Sequence, residues 1–278
     1  MARCRRLRTL RSDLNDLKIV IEPRKVRQPR RGDRVKSAES YSLRDLPIFA
    51  SVDEGTLSLL ALEAKVETCE SGATIFRQGD PITSIVVVIK GFVKLLRIAP
   101  GGDETLIAIR ANGETIIEPV MSPEETCGVS AETIGPTTIV KVPAARFARL
   151  ARESVALGAA VAQDATRRIA ALISEIEALK SQNADLRLAN FILSLCPPGE
   201  EQCRFRLPYD KRLIAAQLGI KQETLSRAFA KLRDHGVRTE TRDILVESVS
   251  RLVAQCEHLG RTIRLPEQTG RLTRDNAA

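Results

Sequence analysis

Between Pro143 and Pro197 the chain contains no proline and a single glycine, Gly158, in a run dominated by Ala, Leu, Ile, Arg and Glu. Proline breaks helix interiors and glycine weakens them, so this composition leaves helix as the only regular structure for the stretch. One break is expected at Ser181-Gln182-Asn183, where Asn183 is placed to cap a following helix, Ala184–Leu195. Within the run, Ala165, Ile169, Leu172, Ile176, Leu179, Asn183 and Leu186 recur at alternating spacings of 4 and 3, an a/d seam. A helix buried in its own core shows a broader stripe repeating near 3.6. The seam predicts two copies of the chain paired through Ala165, Ile169, Leu172, Ile176, Leu179 and Asn183, a homodimer in which Asn183 helps set register.

Upstream of this helix the texture is different. Residues 42–49 and 53–66 read as short helices, the second with Leu57, Leu60 and Ala61 on one face. From Thr68 to Pro143, turns are marked by Gly72, Gly79-Asp80-Pro81, Gly91, Gly101-Gly102, Asn112-Gly113 and Gly135-Pro136. Between them lie strand-like runs at residues 73–76, 85–89, 92–98, 105–109 and 139–142. Turns at this spacing point to a sandwich or a rolled-up barrel of antiparallel strands.

Downstream, residues 207–237 hold the most specific pattern in the chain. Asp210 can cap a helix over residues 211–218, Gly219 breaks it, and residues 221–234 form a second helix ended by His235-Gly236. A helix–glycine turn–helix needs a small residue at the crossing and apolar residues to clamp the angle. Ala215 fills the first role, and Ile214, Leu218, Ile220, Leu225 and Ala228 the second. In such a unit the start of the second helix enters the DNA major groove. Lys221, Gln222, Glu223, Ser226 and Arg227 are the DNA-binding candidates, the last four sharing one helical face. Their chemistry suits base edges: Arg227 can pair with guanine O6/N7, Glu223 can accept from cytosine N4, and Ser226 can do either. The competing reading is a solvated polar face on an ordinary helix pair, and the residues after Gly236 weaken it. Two short strands at 237–239 and 244–246, turned at Thr241-Arg242-Asp243, and a helix from Ser248 complete a winged helix-turn-helix.

Charge and cysteine usage narrow the classes further. The net charge of +8 is a property of the first 36 residues, which carry 13 basic and 4 acidic side chains; the remainder is nearly neutral. That leader reads as disordered, with non-specific attraction to phosphates as its functional alternative. Six scattered cysteines without a C-x-x-C pair read as reduced thiols of a cytoplasmic protein rather than a secreted framework or a zinc ribbon. The apolar run Ile85-Val86-Val87-Val88-Ile89 is far too short to span a membrane. Aromatic residues are only 3%, so stacking on single-stranded nucleic acid is not the mode of binding. No hydrolase, kinase, zincin or dinucleotide motif is present, and no histidine precedes residue 235, so the chain does not read as an enzyme.

A β-roll, a long seam helix and a C-terminal winged helix-turn-helix together resemble the CRP/FNR family of bacterial transcription regulators. The fold class is then α+β: a cyclic-nucleotide-binding-like β-roll, a dimerisation helix and the DNA-binding unit. Glu223-Thr224-Leu225-Ser226-Arg227 resembles the E-x-x-S-R reading motif of the FNR-like branch. The stretch from Gly72 to Asp80 and the stretch Ile89-Lys90-Gly91-Phe92-Val93-Lys94 resemble the first β-roll turns. Ser174-Glu175-Ile176-Glu177-Ala178-Leu179 with Asn190-Phe191-Ile192-Leu193 is similar to the dissimilatory nitrate respiration regulators, the DNR type. The domains expected are a leader at 1–40, the β-roll sensor at 41–150, the dimerisation helix at 151–182, the winged helix-turn-helix at 183–260 and a tail at 261–278. The resemblance implies an activator that binds double-stranded DNA at TTGAT-type half-sites, works with RNA polymerase, and answers nitrogen-oxide or oxygen limitation. The competing class is a cyclic-nucleotide-binding or protein-interaction module that does not bind DNA.

The sensor departs from its relatives at the effector site. The cyclic-AMP type holds the ribose and phosphate with a Gly-Glu pair and a later Arg-Ser. Here Glu118 follows Ile117, Cys127-Gly128 stands where Arg-Ser would, and no arginine lies between Arg110 and Arg146. A buried phosphate without such a partner is costly, which argues against cyclic AMP. An iron–sulfur cluster needs several clustered thiolates, and only Cys4 precedes Cys69. Haem is implied by the DNR resemblance alone, with Cys69, Met121 and Cys127 as the sensor-domain ligand candidates. Glu118, Met121 and Cys127 are the effector-binding candidates overall.

Overall fold

In the computed structural model the described residues are 39–116 and 126–258, together with three short strands nearer the start. Glu118 and Met121 lie outside them, as does the tail at 261–278. The chain divides into two compact units, one through Arg167 and one from Arg168. Within the leader, strands β1 (Arg5–Arg6), β2 (Ser12–Asp13) and β3 (Lys18–Ile21) are formed, so that part of the segment expected to be disordered is paired. Strand β3 pairs with β4 (Glu39–Ser42), and β1 sets Arg5 opposite Thr68 and Arg6 opposite Glu67.

The two short helices expected after residue 42 resolve into 3-10 turns at Leu43–Asp45 and Pro47–Phe49 and helix α1 (Glu54–Ala61). Asp53 caps α1: its carboxylate accepts from the Thr56 N–H and hydroxyl, both at 2.8 Å. These bonds hold the Asp53 carboxyl below its ordinary value. The expected helix ends sooner than residue 66, because strand β5 (Lys65–Cys69) follows. Beyond it come β6 (Thr74–Phe76), β7 (Ser84–Ile98), β8 (Glu104–Arg110), β9 (Thr115–Ile116) and β10 (Ser130–Pro143). They form an antiparallel sheet in the order β1-β5-β10-β7-β8, with β6 also on β10 and β9 also on β7.

Strand β7 explains the apolar run that opens it. Ile85 and Val87 join one core, with Phe49, Leu57, Leu60 and Phe147, while Val86 and Val88 join a second with Val93, Ile116 and Ile139. The strand is therefore buried on both faces, which is why hydrophobic alternation is missing there. Two helices come after the sheet: α2 (Ala144–Glu153), which buries Phe147 and Leu150, and α3 (Val155–Ser181), whose Leu157 and Ala160 complete the first core.

The glycines at 91 and 135 do not reverse the chain as expected. Both lie inside long paired strands, and the register between β10 and β7 shifts between Ile134 and Thr138. Gly91 has φ +95°, and a Cβ there would stand 2.7 Å from the Pro136 carbonyl oxygen and 2.9 Å from Thr137 Cα. Neither obstacle is a movable side-chain tip. Replacing Gly91 with Ala is expected to cost about 2 kcal/mol or more. The check is a lowered thermal midpoint for unfolding of the β-roll.

Candidate nucleic-acid interface

The second unit is built on α4 (Ala184–Leu195), β11 (Cys203–Arg206), α5 (Lys211–Gln217), α6 (Gln222–Leu232), β12 (Val237–Glu240), β13 (Asp243–Val246) and α7 (Val249–His258). The expected turn is present. Asp210 caps α5 by accepting from the Leu213 N–H at 2.8 Å, and Gly219 turns the chain at φ +62°. A Cβ at Gly219 would meet only a side-chain tip, Leu179 Cδ2 at 2.8 Å, so it is the left-handed backbone conformation that calls for glycine.

The clamp is only partly the one expected. Ile214, Ala215, Leu225 and Ala228 are buried, but Leu218 and Ile220 are half-exposed. The larger share comes from Phe229 and Leu232 on α6, from Leu188, Ala189 and Ile192 on α4, and from Leu252 on α7. An ion pair of 2.7 Å between Lys231 Nζ and Asp185 further ties α6 to α4. Sequence reasoning missed these partners because no local pattern sets α4 behind the second helix.

With Leu225, Ala228 and Phe229 turned inward, the opposite face of α6 is free. Lys221, Gln222, Glu223, Ser226 and Arg227 are all exposed. Lys221 is the N-cap residue, and its side chain makes no capping bond. Arg227 Nε lies 3.4 Å from the Glu223 carbonyl oxygen, along the face of its own helix. Lys211 Nζ sits over the Phe229 ring, 5.1 Å from its centroid, so that cation closes the edge of the core.

Beside this face is the wing, a three-stranded sheet in the order β11-β13-β12. Its tip is Thr241-Arg242, with Thr241 at φ +53°, the left-handed region. The tip is held: Arg242 Nη2 donates to the Leu207 carbonyl oxygen at 2.8 Å, and the Leu207 N–H donates to that of Arg242 at 2.8 Å. At the base, Arg238 Nε pairs with Glu247 at 2.9 Å, which raises the guanidinium above its ordinary value. Glu201 accepts from the Ser248 and Ser250 hydroxyls, each at 2.6 Å, at the start of α7. Those bonds lower its carboxyl below the usual range, so the stabilisation is complete above the ordinary glutamate value and fades as acidification passes the lowered one.

The expected cap is present: α3 ends at Ser181, and the Asn183 side chain accepts from the Leu186 N–H at 2.9 Å as the cap of α4. Leu186, the next heptad position, is buried. One expectation is corrected: the cysteines are not all reduced. Cys196 and Cys203 are joined, with Cα atoms 5.8 Å apart, and Cys69 is also disulfide-bonded. The Pro197-Pro198-Gly199 turn folds Cys203 back on Cys196, a reversal that cysteine spacing alone does not reveal.

On the sensor side, Cys127 is buried and unbridged. Its N–H donates to the Asp80 carbonyl oxygen at 2.9 Å, and its own carbonyl accepts from the Gly79 N–H at 2.8 Å. Burial first, and then the Asp80 carboxylate, push the Cys127 thiol up, which disfavours the thiolate a metal needs. Cys69 is committed to its disulfide, which withdraws it from the ligand candidates. Among the described residues no group of three or more His, Cys, Asp or Glu could hold a metal ion. Sequence reasoning missed Thr115, which is 1% exposed and donates to Asp164 of α3 at 3.0 Å, joining β9 to that helix.

Comparison with known proteins agrees with this architecture. Residues 66–154 match the cyclic nucleotide-binding domain family, and residues 186–255 match the Crp-like helix-turn-helix domain family. The transcriptional activator protein Anr of Pseudomonas aeruginosa is 27% identical over 69% of this chain and 80% of its own. The nitrogen fixation regulation protein FixK of Bradyrhizobium diazoefficiens is 26% identical over 70% and 83%. A crystal structure from Ruegeria pomeroyi, named as a candidate cyclic nucleotide binding protein, is 32% identical with a TM-score of 0.59, covering 77% of this chain and 95% of that one. The chain therefore belongs to the CRP/FNR family of transcription regulators, and its second unit is a helix-turn-helix DNA-binding domain. It is a non-enzymatic regulator, and the alternative of a module that does not bind DNA is set aside by the domain match. No described helix is long and apolar enough to cross a membrane.

The two roles considered for Asn183 separate experimentally. Asn183→Ala should destabilise the second unit by about 1 kcal/mol, the usual cost of an N-cap. Sedimentation should show self-association unchanged.

Proposed function

We propose that the protein reads an inverted repeat of TTGAT-type half-sites as a homodimer, with Glu223 and Arg227 meeting the G·C step. The observation that carries the DNA half is the exposed row Gln222, Glu223, Ser226 and Arg227 at the start of a helix whose other face is buried. A two-fold pair of such helices matches half-sites about one helical turn apart. Replacing Arg227 with Ala should weaken binding on the order of 1–3 kcal/mol and relax preference at the guanine. Anisotropy titrations against matched and base-substituted duplexes measure both, and equal discrimination by the variant would remove Arg227 from the reading set.

The dimer half is supported by an apolar row left open in one chain. Ile169 is 58% exposed, Leu172 55%, Ile173 61%, Ile176 51% and Leu179 47%. Ala165 is exposed on the same helix, and Ile173 widens the row beyond the heptad positions. Charge in a dry seam is costly, so Leu172→Glu is expected to give monomers that fail to hold a full palindrome. An intact dimer of that variant by sedimentation would refute the seam.

As a cytoplasmic activator working with RNA polymerase, the protein would answer nitrogen-oxide or oxygen limitation rather than cyclic AMP. The DNR-like sequence stretches support the context, and the missing arginine near Cys127 supports the exclusion of cyclic AMP. The route from sensor to DNA would run through α3, held to the β-roll by Leu157, Ala160 and the Thr115–Asp164 bond. A ligand, or abundance alone, would set how often the active arrangement is populated.

A further inference from the structure

Cys196 and Cys203 occupy the two ends of a short turn that carries Gly199 at φ +81°. Cys196 ends α4, its N–H donating to the Leu193 carbonyl oxygen at 3.2 Å. Cys203 opens β11, is buried, and lies opposite Val246 of β13. Their bond therefore ties the helix that backs α6 to the sheet that forms the wing. The turn has a second anchor of its own: the Val249 N–H donates to the Glu201 carbonyl oxygen at 2.7 Å, and the Glu201 carboxylate holds Ser248 and Ser250. With the disulfide open, that anchor still holds the turn to the start of α7.

We propose that Cys196 and Cys203 form a reversible thiol–disulfide site, exchanging with low-molecular-weight disulfides and thiols, that sets how firmly the wing is held beside the reading helix. Cys196 is the more exposed of the two and the attacking group. Its thiolate attacks one sulfur of a small disulfide and expels the first small thiolate, leaving a mixed disulfide on Cys196. The Cys203 thiol then loses its proton, and its thiolate attacks Cys196 Sγ, expelling the second. Two protein thiols are oxidised to one disulfide, one small disulfide is reduced to two thiols, and the two protons lost end on the leaving thiolates. In a reducing compartment the pair rests open, and a rise in the small disulfide closes it. A closed ring orders the start of β11 before DNA arrives, so the disulfide form is the tighter binder.

This coupling rests on the DNA-binding reading, but the thiol chemistry can be measured without it. The full-length protein is equilibrated across a series of reduced-to-oxidised glutathione ratios, alkylated and digested with trypsin. Arg187 and Arg204 bound a single peptide that contains both cysteines. It should pass from doubly alkylated to unalkylated and lighter by two hydrogens. In parallel, affinity for the palindromic duplex should be about three- to ten-fold tighter in the oxidised protein. The double variant Cys196→Ser, Cys203→Ser should bind like the reduced wild type and ignore the glutathione ratio. A peptide that stays alkylated at every ratio overturns the site. A bridge that forms while wild type and double variant bind equally overturns its link to DNA. If the peptide shifts but neither state binds the duplex, the thiol site stands and the failure belongs to the DNA-binding reading.

Discussion

The apolar contact between α6 and α4 is the constraint on which the DNA-binding unit depends. Leu225, Ala228, Phe229 and Leu232 are the buried face of α6, and Leu188, Ala189 and Ile192 are buried on α4, the helix packed against it. Because helical positions recur every 3.6 residues, committing those four residues fixes which others point outward. Gln222, Glu223, Ser226 and Arg227 are outward for that reason. The exposed face is thus a by-product of core packing, and a slip in the core would turn other residues outward. The Lys231–Asp185 pair and the Lys211–Phe229 contact both sit at the margin of this core, where water would otherwise enter.

The β-roll applies a similar economy to a sheet. Strand β7 divides its side chains between two cores, so a change at Ile85 and a change at Val86 are felt on opposite faces. One core is shared with α1, α2 and the first turns of α3, and the other fills the inside of the roll. The bends at Gly91 and Gly135 let long strands curve without leaving the sheet, which a pair of hairpins in their place would not do.

The long-helix composition, the cap at Asn183 and the helix–glycine–helix spacing were legible because each rests on local rules: propensity, capping and a residue with positive φ. Glycine was misleading where the same residue serves two purposes, since a strand bend and a turn look alike in sequence. The heptad pattern runs on through Asn183 and Leu186, whereas α3 ends at Ser181, because a heptad continues across a helix break that only the cap reveals. Phe229 and Leu232 were missed as clamp residues because their partners lie on α4, some forty residues away in the chain. The disulfide was missed for the same reason at shorter range: chain reversal at Pro197-Pro198-Gly199 brings together sulfurs whose spacing matches no known framework. In the sensor, Glu118 and Met121 fall outside the described residues, and Cys127 alone carries too little chemistry to define a ligand.

The open row on α3 sets the energetics of the proposed dimer. Ile169, Leu172, Ile173, Ile176 and Leu179 are each about half exposed in one chain. Burying the exposed half of an aliphatic side chain contributes about 1 kcal/mol, so ten of them across a two-fold seam give roughly 10 kcal/mol. Association costs about 4–15 kcal/mol in lost freedom. The two are of similar size, so pairing holds only when the two rows face each other in register. Such a seam is well suited to regulation. The start of α3 is anchored by Leu157, Ala160 and the Thr115–Asp164 bond, so a change in the β-roll acts on it there. A rotation of a few tens of degrees would misalign the apolar rows and forfeit much of that roughly 10 kcal/mol, which is enough to move a dimer equilibrium by several powers of ten. Tight constitutive pairing would remove that lever, since a ligand can shift an equilibrium only by its differential affinity for the two states.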